Sequence, residues 1–189
     1  MFNQEVTEKL IHWFVSSQKG HKMDKLALLK LVFFADRYHL RNFSRTITGD
    51  VYFAKQHGPV ANNTYDLLTQ ICGGKGSRWA KAHIIMPNTD KILAKGKGNI
   101  SDFSESEMEA IKFVERNFGG FSMKKLEDLT HQYPEWKKFE TLIDSKETKS
   151  VEMNLADMLS DSEESKEYYP ELPKSERDAK EEWIECGLI

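Results

Sequence analysis

The stretch Asp24 to Leu40, DKLALLKLVFFADRYHL, constrains the fold more than any other part of the chain. From Leu26 to Ala35 only Lys30 interrupts the apolar residues. A helix carrying apolar side chains at every angular position has no solvent face, so it must be buried on most sides. A short apolar run can also be a strand, but the Leu, Ala and Lys content and the length favour a helix. Asp24 is placed to cap its N-terminus. Polar residues return at Asp36, Arg37, Tyr38 and His39, where the helix is expected to emerge into water. The run is too short, and too charged at its ends, to span a bilayer.

Around this rod the chain reads as further amphipathic helices. Asn3 can cap a first helix over about Gln4 to Gln18, with Leu10, Ile11, Phe14 and Val15 as its apolar stripe. Gly58-Pro59 is expected to open another helix running to about Ile71, since proline at the first helical position gives up an amide bond that would go unmade. Lys81 to Met86, a turn at Pro87 to Asp90 and Lys91 to Ala94 read as a hairpin. Ser104 and Glu107 have the spacing of a capping box, and Ser122 can cap the following helix. After the break at Tyr133-Pro134, a helix with Trp136, Phe139, Leu142 and Ile143 closes the body. The expected fold is mainly α, a helical domain around a central buried helix with one small β-hairpin.

Charge divides the chain in two. Residues 1–144 carry 21 Lys and Arg against 17 Asp and Glu, a net +4, while residues 145–189 carry 6 against 13, a net −7. The expectation is a basic body over 1–144 and an acidic extension over 145–189. Within the extension, Val151, Leu155, Met158 and Leu159 recur at helical spacing, Asp161 to Lys174 reads as a linker, and Ser175 with Asp178 can box a last short helix. Such a tail can lie in a partner's groove, fold back to complete the core, or mimic nucleic acid. Met1 to Lys19 is amphipathic with early acids, unlike a secretion signal. The expectation is a cytoplasmic protein with reduced thiols and no membrane partner.

Reactive chemistry is sparse. The two cysteines lie far apart, and the six histidines are scattered without cysteine neighbours, so no metal set and no cofactor is expected. His57-Gly58-Pro59-Val60 can be read as an anion-binding helix start or as a structural one, and the missing proline amide favours the structural reading. Thr130-His131 with Trp136 can be a partner-facing pocket, but a single histidine beside a proline turn is more often a cap or a satisfied core group. His57 and His131 could imitate a hydrolase pair, yet no serine or cysteine stands in a nucleophile context. Gly73 to Arg78 lacks the spacing of a phosphate loop. Lys75, Arg78, Lys81, Lys91, Lys95 and Lys97 can serve a nucleic acid or an acidic partner, or be solvated.

Two stretches carry a family resemblance. LLKLVFFADRYHL followed by GDVYFAKQHGPVANNTYDLL is one, and FGGFSMKKLEDLTHQYPEWKKF is the other. Together, over roughly residues 5–143, the chain resembles the SocA-like antitoxin domain, also called the Panacea domain, which includes phage-associated GepA-like proteins. The resemblance implies a mostly helical domain without catalytic residues and, as partner, a protein toxin encoded nearby. Its signature falls on His57, Gly58, Pro59, Val60, Tyr65, Thr130, His131 and Trp136. His57 stands where an aromatic residue often precedes Gly-Pro-Val, and the tail beyond Ser145 has no counterpart in the core pattern. The expected activity is neutralisation without catalysis, either by covering the toxin or by presenting it to a protease. A nucleic-acid-binding regulator using the basic hairpin is the alternative, and a hydrolase using His57 or His131 ranks below both.

Overall fold

The computed structural model describes residues 1–162 and 167–187. The apolar run becomes a helix, α2, over Lys25–Phe43, and α1 over Gln4–Ser16 packs against it. From Leu28 to Phe34 every α2 residue is buried. Each Leu or Phe so removed from water contributes about 1.5–3 kcal/mol. The rod carries the mainly α fold expected of it. Asn3 caps α1 by accepting from the Val6 amide at 3.2 Å. Asp24 does not cap α2. It belongs to β1, Lys22–Asp24, and pairs instead with Lys91.

The β content exceeds one hairpin. β2, Tyr52–Lys55, pairs antiparallel with β3, Gly58–Ala61. Gly58-Pro59 therefore lies in a strand and does not open a helix. Gly58 has φ +88°, a backbone state that L side chains rarely adopt. Pro59 lies in a strand at the sheet edge, where its missing amide interrupts no ladder. The helix α3 begins later, at Asn62, and runs to Cys72. Its first-turn amides are taken by Asp50, whose carboxylate accepts from the Asn63 and Thr64 amides, both at 2.8 Å, and from the Thr64 hydroxyl at 2.6 Å. The cap thus comes from the preceding loop, on the far side of the hairpin.

A short α4, Arg78–His83, leads into β4, Ile84–Ile85, and β5, Lys91–Ala94. The expected hairpin forms in part: Lys81 to His83, expected in its first strand, belong to α4, only Ile84 and Ile85 pair with β5, and β1 is added on the far side of β5. Next come α5, Glu105–Phe118, with the expected Ser104–Glu107 capping box, and α6, Met123–His131, capped by Ser122. The segment after Pro134 splits into α7, Pro134–Lys137, and α8, Glu140–Asp144, with Leu142 exposed.

The polar end of α2 does not emerge. Asp36, Arg37, His39 and Arg41 are all buried, each with fixed partners. Asp36 accepts from the Ile47 amide at 2.7 Å, the Thr48 amide at 3.0 Å and the Tyr52 hydroxyl at 2.8 Å, and the Thr48 hydroxyl also donates to it. Burial pushes its carboxyl up to about 6, against these hydrogen bonds, whose four donors tie the 44–50 loop and β2 to α2.

The acidic extension covers the rest. β6, Val151–Glu152, adds to β2 to complete a sheet ordered β3-β2-β6. Leu155–Leu159 is a 3-10 turn, and α9 spans Lys174–Glu185. Neither Ser175 nor Asp178 boxes α9, whose N-cap position is Pro173. Met153, Met158, Leu159 and Tyr169 join the body's core. Of the three fates open to the tail, folding back is the one the structure adopts. Part of the expected linker, residues 163–166, lies outside the described residues.

Candidate functional site

The expected signature residues come from two distant stretches, and α2 brings them together. The β2–β3 turn at Gln56-His57 delivers Gly58 and Pro59 against the middle of α2. There the Lys30 amine, nearly wholly buried, donates to the Pro59 carbonyl at 2.9 Å. The end of α6 brings Thr130 and His131 to the same point. A methyl group on Gly58 would stand 2.6 Å from Thr130 Oγ1, 2.7 Å from Lys30 Nζ and 3.2 Å from His131 Cδ2. Glycine is required here twice, for its φ and for the close approach.

α7 completes the cluster. The Trp136 ring stacks on His131 with 3.8 Å between centroids and 5° between planes. Its indole N–H donates to the Lys55 carbonyl at 2.9 Å, which ties α7 to β2. The Thr130 hydroxyl donates to the Glu127 carbonyl at 2.8 Å. On the rim, exposed His57 sits 3.4 Å from the Glu127 carboxylate. Val60 is buried in the core. Tyr65 stands apart from Lys30, its ring 4.3 Å from the Lys25 amine and 5.4 Å from that of Lys55.

Electrostatics at the centre are unusual. Burial pushes the Lys30 amine down to about 7, with the Glu127 carboxylate pulling weakly the other way. Burial first, and the Lys30 charge second, also lower the His131 imidazole, whose Nε2 has no hydrogen-bond partner among the described residues. Neither Lys30 nor Glu127 was among the expected site residues. The one sequence signal for Lys30 was its position as the lone charge in the apolar run.

The arrangement is a clamp without exposed reactive chemistry. Thr130, its only hydroxyl, is fully buried and already donates to backbone. Among the described residues no serine or cysteine is hydrogen-bonded to His57 or His131, and Cys72 lies on α3. No group of three or more metal-ligating side chains occurs among the described residues. The Gly73 to Ser77 loop serves structure: Ser77 caps α4 and donates to Glu8 at 2.6 Å.

Two consequences can be measured. Gly58→Ala is expected to cost about 2–3 kcal/mol in urea unfolding, from the left-handed backbone and the overlap with Thr130 and Lys30. A loss below about 1 kcal/mol would show the clamp to be loose. Lys30 adds a pH signature. Its amine titrates near 7 in the folded chain against an ordinary 10.5, so the unfolded chain holds more protons between those values. Stability should therefore rise with pH through that window, and Lys30→Met should flatten the rise between about pH 7 and 9. Equal slopes for the two proteins would contradict the assignment.

Comparison with known proteins bears on both halves of the clamp. The family model described as antitoxin SocA-like, Panacea domain, matches residues 28–137, more than half of the chain, from the first turn of α2 through α7. No curated protein and no solved structure matches the chain. Among the described residues no helix is long and apolar enough to cross a membrane.

Proposed function

Since this chain belongs to the SocA-like antitoxin family, that of the Panacea domain, we propose that it binds and neutralises a protein toxin encoded beside it, through surface contact and without catalysis. The observation that carries this reading is the family match, whose boundaries enclose the whole Lys30 clamp. In it Gly58, Pro59, Val60, Thr130, His131 and Trp136 act as framework, locking β3, α6 and α7 onto α2. The toxin is met by the outer surface of the scaffold so held, and His57 is the exposed side chain of the signature. A buried clamp with no exposed nucleophile suits a protein that works by shape. The neutralised toxin is either covered at its active site or handed to a protease.

Co-expression tests this. The neighbouring gene alone should arrest growth, and this chain should restore growth and co-purify with the product. Repeating the assay in cells lacking the major cytosolic proteases separates the two routes, since covering persists there and degradation does not. A neighbour that is harmless, or that does not bind, defeats the reading.

A further inference from the structure

The sheet ordered β1-β5-β4 has one face on the core and one in solvent. Residues directly opposite one another in a sheet point to the same face, and alternate residues along a strand point to opposite faces. Ile92 and Ile84 are buried, which fixes the inner face. The outer face then carries Ile85, Leu93 and Lys22 in one row across the three strands, and Lys91 with Asp24 in the next. Lys95 continues the outward alternation of β5 and is exposed. Ile85 is 40% exposed, one of few large apolar side chains so placed. A cleft of about 350 Å³ on this face is lined by Lys22, Met23, Asp24, Pro87, Lys91 and Leu93. Among the described residues only Lys91 of the three lysines is ion-paired, with Asp24.

We infer that this face is the toxin-docking surface, and that its occupant is an acidic segment of the toxin bearing an apolar anchor. The inference rests on the antitoxin reading and deepens it. Charge complementarity argues for the occupant: lysines flank an apolar centre, so acids on the partner meet Lys22 and Lys95, which have no ion-pair partner among the described residues, while an apolar side chain enters the cleft beside Leu93 and Pro87. A nucleic acid suits the face less well. Its backbone needs cations uninterrupted by Ile85, Leu93 and the Asp24 carboxylate, and among the described residues no exposed Phe, Tyr or Trp ring lies on the face for bases to stack upon.

The test uses the full chain and the product of the neighbouring gene. Lys22→Glu with Lys95→Glu changes exposed side chains and should leave the thermal melt unchanged, while Ile85→Asp, at a side chain 40% exposed in a paired strand, should lower the melt by a few degrees and keep it cooperative. Each is expected to weaken toxin binding about 100-fold and to abolish growth rescue, with wild-type binding falling as salt rises. The charge reversals Glu181→Lys and Glu185→Lys on α9 should change neither. If the outer-face variants bind and rescue like wild type while the wild type neutralises, the antitoxin reading stands and this surface is refuted. If wild type neither binds nor neutralises the neighbour, both fall. If the outer-face variants lose retention of a 30-nucleotide single-stranded DNA but keep toxin binding, the face belongs to nucleic acid and the inference is overturned.

Discussion

Glu135→Ala is expected to destabilise the protein by about 3–5 kcal/mol, because it strands a guanidinium that can neither reach water nor lose its proton. Glu135 Oε1 lies 2.6 Å from Arg37 Nε, and both side chains are fully buried. Arg37 is hemmed in by two mutually perpendicular rings, those of Tyr133 and Tyr169, 4.6 and 4.5 Å from its central carbon. Its Nη2 donates to the Ser160 carbonyl at 2.9 Å. These contacts stop the side chain from swinging out to find solvent once the carboxylate is gone. The pair is not a net source of stability on the same scale, since two ions have been desolvated and Arg37 Nη1 and Glu135 Oε2 find no partner among the described residues. Arg37→Met combined with Glu135→Leu should therefore recover most of the loss. Urea midpoints for the single and double variants decide it. A single-variant loss under about 1 kcal/mol would mean that water already reaches the pair.

These buried ions also mark where sequence reading stopped. Local signals were legible: the apolar run of α2, the Asn3 and Ser122 caps and the Ser104–Glu107 box all depend on residues within four positions of one another. Features closed by distant residues were not. Asp36 to Arg41 look like a solvated helix end because their partners, Thr48, Glu135 and the carbonyls near Ser160, are far off in the chain. Gly58-Pro59 reads as a helix start because the same two residues suit a strand that follows a tight turn, and only pairing with Tyr52 to Lys55 separates the two. Asp50, the true source of the α3 cap, sits beyond that hairpin. The signature residues were visible as two stretches, but their meeting at Lys30 was not, since nothing local says which buried cation a carbonyl will take.

The second large effect concerns the tail. A chain ending at Asp144 is expected to lose cooperative unfolding and to bind hydrophobic dyes, as a collapsed but unpacked state does. Met153, Met158, Leu159 and Tyr169 each leave the core, at about 1.5–3 kcal/mol apiece, which together rivals the whole stability of an ordinary domain. Buried Arg41 would lose five acceptors at once: the carbonyls of Met158 at 3.3 Å, Leu159 at 2.7 Å, Ser160 at 3.3 Å and Pro170 at 2.8 Å, and the Asp161 carboxylate. The truncation also bares the β2 edge that β6 covers. Arg41→Met isolates the electrostatic part, since it roughly keeps the bulk while removing the donors, and should cost about 3 kcal/mol and speed amide exchange across Leu155 to Ser160. Urea unfolding of the shortened chain with the midpoint and steepness of the full protein would show that the acidic extension lies on the core without completing it.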